Sequence, residues 1–203
     1  MARSVTSRAG ARAAPALAMA HHQTLGFIGR MPTNIEIKAY LRDPERTKLI
    51  ARQLSGADPK EIRQEDTFFQ IPEGRLKLRQ FSEDAGELIF YRRDDIAGTK
   101  RSDYAIVSTD KPKALLAVLA QALEAKVMVL KKRLVYLVDQ TRIHVDEVKG
   151  LGVFLELEVV LRDGQSSEEG HKIAKDLMRK LEVVETDLIE GSYADLQNQV
   201  HGA

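Results

Sequence analysis

Asn34-Ile35-Glu36-Ile37-Lys38-Ala39-Tyr40-Leu41 is the stretch whose reading decides the fold. Ile35, Ile37, Ala39 and Leu41 alternate with Asn34, Glu36, Lys38 and Tyr40, the period of two that marks a half-buried β-strand. One face is apolar, and the other carries an acid and a base on the same side of an extended chain. The arrangement recurs downstream. Arg75, Lys77 and Arg79 share a face of Arg75–Phe81. Arg142, His144 and Asp146 share a face of Thr141–Val148, and Glu156 and Glu158 share one of Val153–Leu161. Such faces either meet water, the ordinary arrangement for an antiparallel sheet, or turn inward around a common ligand. Composition alone favours the first.

The remaining segments supply the frame. Asp43-Pro44 starts a helix, with an acid at the N-cap and proline at the first helical position, and it runs through Leu54 to Gly56. A strand spans Ile62–Ile71, including Asp66, Phe68 and Phe69, and Pro72-Glu73-Gly74 turns the chain. Leu88–Arg93 is the hairpin partner of Arg75–Phe81. A polar loop, Asp94–Lys100, precedes a strand over Arg101–Ser108. Leu115, Leu116, Leu119 and Leu123 give Lys111–Lys126 helical spacing. Val127–Val138 and Thr141–Val148 pair as strands, and Gly150-Leu151-Gly152 turns into Val153–Leu161. Ser166 and Glu169 form a capping box for the next helix, and a final short helix is expected within Leu188–Gln199. The class is α+β: eight strands, mostly antiparallel, with helices between them. Closing these strands into a barrel gives two sides, with inner and outer positions alternating. Helices packed over the apolar side would leave the charges in the lumen.

Bulk properties narrow the functions. The 203 residues hold 31 Lys and Arg against 30 Asp and Glu, without the basic excess of a general nucleic-acid binder. No apolar run approaches the ~20 residues of a membrane-spanning helix. There is no cysteine, which excludes disulfides and thiolate chemistry. Residues 1–32 contain Arg3, Arg8, Arg12 and Arg30, many alanines and no acid. They read equally as a mitochondrial transit peptide or as a disordered extension, and the folded domain is expected over 33–199. A cytoplasmic location follows from the second reading, a mitochondrial one from the first.

If the charged faces converge, the acids are Glu36, Asp146, Glu156 and Glu158. The bases are Lys38, Lys77, Arg79, Arg92, Lys131, Arg133 and Arg142, with Arg101 a weaker member. So many enclosed cations require a polyanion, because unpaired buried charge is costly. Guanidinium and ammonium groups suit phosphate oxygens, and clustered carboxylates suit a hard cation such as Mg²⁺ or Mn²⁺. Taken singly, each element has a plainer reading. Glu-x-Glu is usually a solvated face, Lys77 and Arg79 could be surface ion pairs, and Lys131-Lys132-Arg133 could be a solvated edge. His144 reads as a hydrogen-bonded strand residue and Tyr193 as packing. Neither a phosphate-cradling glycine loop nor a nucleophile elbow is present.

Ile35-Glu36-Ile37-Lys38 resembles the E-x-E-x-K signature that opens proteins of the CYTH family, the triphosphate tunnel metalloenzymes. The likeness continues in order. Glu65-Asp66-Thr67-Phe68-Phe69 is similar to the family's Q-x-D-x-Y-F strand, and Leu76-Lys77-Leu78-Arg79 to its L-R-I-R strand. Tyr91-Arg92 stands where the family has Y-K. Lys131-Lys132-Arg133, Val145-Asp146, Gly150-Leu151-Gly152-Val153-Phe154, Leu155-Glu156-Leu157-Glu158 and Ser192-Tyr193-Ala194-Asp195-Leu196 follow. The resemblance implies an eight-stranded antiparallel barrel binding a triphosphate and Mg²⁺ or Mn²⁺. It implies metal ligation by Glu36, Glu156 and Glu158 with Asp146 assisting, and catalytic parts for Glu36, Lys38 and Glu158. Phosphates would be gripped by Lys38, Lys77, Arg79, Arg92, Lys131, Arg133 and Arg142. The activity implied is hydrolysis of inorganic triphosphate, thiamine triphosphate or ATP. Alternatives are a class IV-type adenylyl cyclase and a non-catalytic polyphosphate- or nucleotide-binding module, and a homodimer is the assembly left open. Asn34 departs from the pattern by replacing the first signature glutamate, and the G-P after Y-K is missing.

Overall fold

The computed structural model describes residues 31–96 and 98–201. The segment read as a transit peptide or extension lies outside the described residues, save Met31 and Pro32. The strands are β1 (Thr33–Tyr40), β2 (Lys60–Phe69), β3 (Arg75–Gln80), β4 (Gly86–Arg93), β5 (Lys100–Thr109), β6 (Ala125–Val138), β7 (Thr141–Val148) and β8 (Gly152–Val160). They close into a barrel in the order β1-β5-β4-β3-β2-β6-β7-β8, every neighbouring pair antiparallel. The helices are α1 (Pro44–Ser55), α2 (Pro112–Ala122), α3 (Ser167–Lys180) and α4 (Tyr193–His201).

Local chemistry sets the helix ends. The Asp43 carboxylate accepts from the Arg46 amide, Pro44 fills the first turn, and Gly56 closes α1 in the left-handed conformation. The capping box of α3 is formed by Ser166 and Glu169. Two boundaries differ from the sequence reading. The helix expected to reach Lys126 ends at Ala122, because sheet pairing claims the residues beyond it. Leu123 is extended, the Glu124 carbonyl accepts from Gln70, and Ala125 pairs with Phe69. The last helix starts at Tyr193 rather than near Leu188, since Leu188 bridges to Ala39 and the Ile189 amide donates to the Lys38 carbonyl.

The apolar core lies outside the barrel wall. Outward residues of β1, β7 and β8, among them Ile37, Val145, Leu155 and Leu157, pack under Ala51 of α1 and Leu177, Met178 and Leu181 of α3. Burying each large aliphatic chain of this layer contributes ~1.5–3 kcal/mol. α3 approaches β1 so closely that a Cβ on Gly170 would lie 2.6 Å from Ile35 Cγ1, so a side chain there would force the helix off the wall. With the greasy faces turned out under the helices, the alternating charged faces point into the lumen.

Candidate active site in the barrel lumen

Period-two geometry brings one polar set from each strand into a cavity of about 320 Å³. β1 contributes Asn34, Glu36 and Lys38, and β8 contributes Glu156 and Glu158. Lys77 and Arg79 come from β3, Lys131 and Arg133 from β6, and Arg142 and His144 from β7. In an eight-stranded ring the strand four places away lies across the lumen. β8 therefore faces β3, and its two glutamates look toward Lys77 and Arg79.

The acidic wall is built by register. Glu36 is the cross-strand partner of Glu158, and Lys38 that of Glu156. Lys38 Nζ lies 3.0 Å from Glu156 Oε1, and Arg133 Nη2 is 2.5 Å from Glu156 Oε2. Arg142 Nε donates to Glu158 Oε2 at 2.7 Å. Glu36 has weaker compensation, its nearest cation being Arg93 at 3.5 Å. Burial, together with Glu158 and Glu156, pushes the Glu36 carboxyl up to about 7. Burial would raise Glu158 too, but His144, Arg142 and Arg133 hold it at about 2.

The basic wall is organised around Asp66, which sequence reasoning placed on a strand but gave no part in the site. Arg79 donates to both its oxygens at 2.8 Å, and Lys77 Nζ lies 3.0 Å away. Burial opposes ionisation of Asp66, yet Arg79, Lys77 and Lys131 keep it well below the usual carboxylate range. Lys131 is the converse case. Burial and then Arg133 bring its ammonium down to about 7.

Three of the expected residues are placed differently. Arg92 points outward against Glu73, its side chain 62% exposed. The inward position belongs to Arg93, 4% exposed, whose Nε and Nη2 make no hydrogen bond. Tyr91 faces the lumen, so the following residue must face away; Y-x-R, not Y-R, is the inward pair. Asp146 lies behind the cavity surface, fully buried and saturated: Arg133 donates to both oxygens at 2.6 Å and the Tyr193 hydroxyl donates to Oδ2 at 2.9 Å. It anchors Arg133 rather than offering a free oxygen. Arg101, the weaker member of the basic set, stays outside and pairs with Asp103. Its neighbour Lys100, expected in a loop, is fully buried, donating to the carbonyls of Ile189 and Glu190.

Tyr193 and His144, read as structural, both enter the lumen. The Tyr193 ring lies beneath Lys38 Nζ, 3.8 Å from its centroid. His144 is 3% exposed, and burial pushes its imidazole down to about 4, so the ring is neutral at physiological pH. Its Nδ1 has no hydrogen-bond partner. Together with Glu156 and Glu158 it forms a group of possible metal donors whose ligating atoms lie within 4.8 Å of one another. The orphaned nitrogen and the crowded carboxylates fit a divalent cation, with Glu36 adjoining.

Among the described residues no helix is long and apolar enough to cross a membrane. A comparison with curated proteins finds no match. Among solved structures, the chain is similar to the PH1012 protein of Pyrococcus horikoshii OT3, at 22% identity and a TM-score of 0.72 over 80% of this chain and 98% of that one. A conserved hypothetical protein of Pyrococcus furiosus is similar at 20% identity and a TM-score of 0.70, over 80% of this chain and 99% of that one. A Vibrio parahaemolyticus protein provisionally described as an adenylate cyclase is similar at 15% identity and a TM-score of 0.64, over 86% of this chain and 99% of that one. These likenesses show a shared fold. Residues 32–193 match the family model of the CYTH domain, and with its closed, charge-lined barrel the chain belongs to the CYTH family.

Proposed function

We propose that the lumen binds a triphosphate together with a divalent cation, Mg²⁺ or Mn²⁺, and hydrolyses its terminal phosphoanhydride bond. The observation that carries this reading is the Arg93 guanidinium, buried and facing the cavity with donors unmet. A guanidinium in that state calls for an oxyanion. Lys77 and Arg79 of the neighbouring β3, with Lys131 and Arg133 of β6, extend the same surface, so the ligand needs several oxyanions in series.

Water adds to the terminal phosphorus, the bridging P–O bond breaks, and its electron pair leaves on the diphosphate oxygen. Phosphoryl transfer of this kind is driven by positioning and charge neutralisation. Arg93, Lys77 and Arg79 fix the phosphate chain against rotation, and Lys131 and Arg133 take up charge on the leaving oxygen. Lys38, held over Tyr193 and against Glu156, stands between the cationic and acidic walls. Glu36, Glu156 and Glu158 would hold the cation, which when bound supplies further neutralisation of phosphoryl oxygens.

The test is release of orthophosphate from inorganic triphosphate, thiamine triphosphate and ATP with Mg²⁺ or Mn²⁺, with cyclic AMP measured in the ATP reaction. Orthophosphate release lost in Glu158→Ala supports hydrolysis. Cyclic AMP and diphosphate instead mean that a ribose hydroxyl attacks the α-phosphorus. Calorimetric triphosphate binding without turnover identifies a binding module, with Asn34 in place of the signature glutamate as the residue to revert.

A further inference from the structure

His144 sits on β7 directly across from Glu156 of β8, and its Nδ1 is 3.7 Å from Glu158 Oε1. Glu158 turns its other oxygen, Oε2, to Arg142, so Oε1 faces the imidazole. The ring is buried, yet Nδ1 makes no hydrogen bond. A buried polar atom without a partner is uncommon and calls for a reason. Phosphate is a poor explanation, because the group nearest this nitrogen is a carboxylate. A cation accounts for it: an imidazole nitrogen and two carboxylates converge within 4.8 Å. Ligands of one octahedral ion at ~2.1 Å stand ~3.0 Å apart when adjacent and ~4.2 Å when opposite. The His144–Glu158 pair, at 3.7 Å, therefore already spans one ion, and Glu156 joins it by turning an oxygen from Lys38 or Arg133.

We infer that His144 is a nitrogen ligand in a mixed site with Glu156 and Glu158, and that this site selects Mn²⁺ or a later first-row cation over Mg²⁺. The inference rests on the proposed cation site and deepens it. Mg²⁺ favours an all-oxygen octahedron and gives up water reluctantly, whereas imidazole favours the first-row transition ions. Asn34, a neutral side chain 3% exposed with an unmet Oδ1, lowers the anionic charge of the same end of β1. That weakens the purely electrostatic attraction on which Mg²⁺ depends most.

The experiment uses the full chain and metal ions alone. Calorimetric titration should give Mn²⁺ binding at least roughly tenfold tighter than Mg²⁺, and the spin-echo spectrum of bound Mn²⁺ should show imidazole nitrogen modulation. In His144→Gln, with folding checked by circular dichroism, the modulation should vanish. The Mn²⁺ preference should fall at least about fivefold while Mg²⁺ affinity stays within about twofold. Bound Mn²⁺ without nitrogen modulation in the natural chain overturns the inference but leaves a carboxylate site. That spectrum decides even if the variant misfolds. Absence of any cation binding, with triphosphate present or not, removes the cation site itself and the metal-dependent reading with it.

Discussion

The barrel has two unlike walls. β1, β7 and β8 are packed on both faces: outside, Ile37, Val145 and Leu157 lie sealed under α1 and α3; inside, Glu36, His144, Glu156 and Glu158 are held in register. β5 has a bare outer face, with Val107 64% exposed. Its inner face offers Ser102, Tyr104 and Ile106 to the cavity, the Lys100 ammonium of that side being tied to the carbonyls of Ile189 and Glu190. The candidate cation donors lie where the strand behind them is clamped, whereas Lys77 and Arg79 of β3 and Arg93 of β4 lie outside that clamp. A cation site tolerates little displacement of its donors, and a wall fixed by a core behind it supplies that rigidity.

The contrast breaks hardest at Arg133, the node of the clamped side. Arg133→Met leaves Asp146 without its bidentate partner and Glu156 short of one cation. Stability should fall by ~3–5 kcal/mol, as when one member of a buried ion pair is removed, read from urea unfolding. The outer faces give the next largest difference. Leu157→Ala opens a cavity under α3 and should cost ~2–5 kcal/mol. Val107→Ala should change the same midpoint by less than ~0.5 kcal/mol. Equal losses would mean that the bare wall is covered in solution.

How much could be seen in advance follows the same division. On β1, β7 and β8 the outer positions are all apolar because a core covers them, so alternation was clean and placed Glu36, Lys38, His144, Glu156 and Glu158 on their observed faces. The sequence left undecided which face looked inward, since that depends on α1 and α3 packing outside. On β4 the inner set is Glu87, Ile89, Tyr91 and Arg93, and the outer set includes Leu88 and Phe90. Neither set is purely apolar, and a one-residue slip reverses every side chain, which is how Arg92 came to stand for Arg93. Asp66 and Asp146 were visible as acids, but their saturation by Arg79 and Arg133 depends on neighbours far along the chain. The Arg92/Arg93 pair is therefore a direct probe. Arg93→Ala should lower kcat/KM for the triphosphate substrate by roughly 10–100-fold, as for loss of a charged ligand contact. Arg92→Ala should stay within about twofold. The reverse result would put β4 in the other register.

A last contrast concerns the two walls' opposite protonation. Glu36 is raised from 4.5 to about 7, by burial and then by Glu158 and Glu156. Between those values the folded chain binds the extra proton, so its contribution is present below pH 4.5 and is lost as pH rises through 7. Lys131 is lowered from 10.5 to about 7, by burial and then by Arg133. In that window the unfolded chain binds the extra proton, so stability is present above pH 10.5 and is lost as pH falls through 7. The two contributions leave the ligand-free barrel weakest near pH 7, each on the order of 1 kcal/mol per pH unit at most. Urea midpoints from pH 5 to 9 should show the dip. Glu36→Gln should flatten its acid limb and Lys131→Met its alkaline limb. Because a triphosphate and a cation supply the charges that each wall lacks, adding both should fill the dip in the natural chain, and in neither variant completely. A dip untouched by both substitutions would place the electrostatic cost elsewhere in the barrel and remove the argument that the two walls are complementary halves of one ligand site.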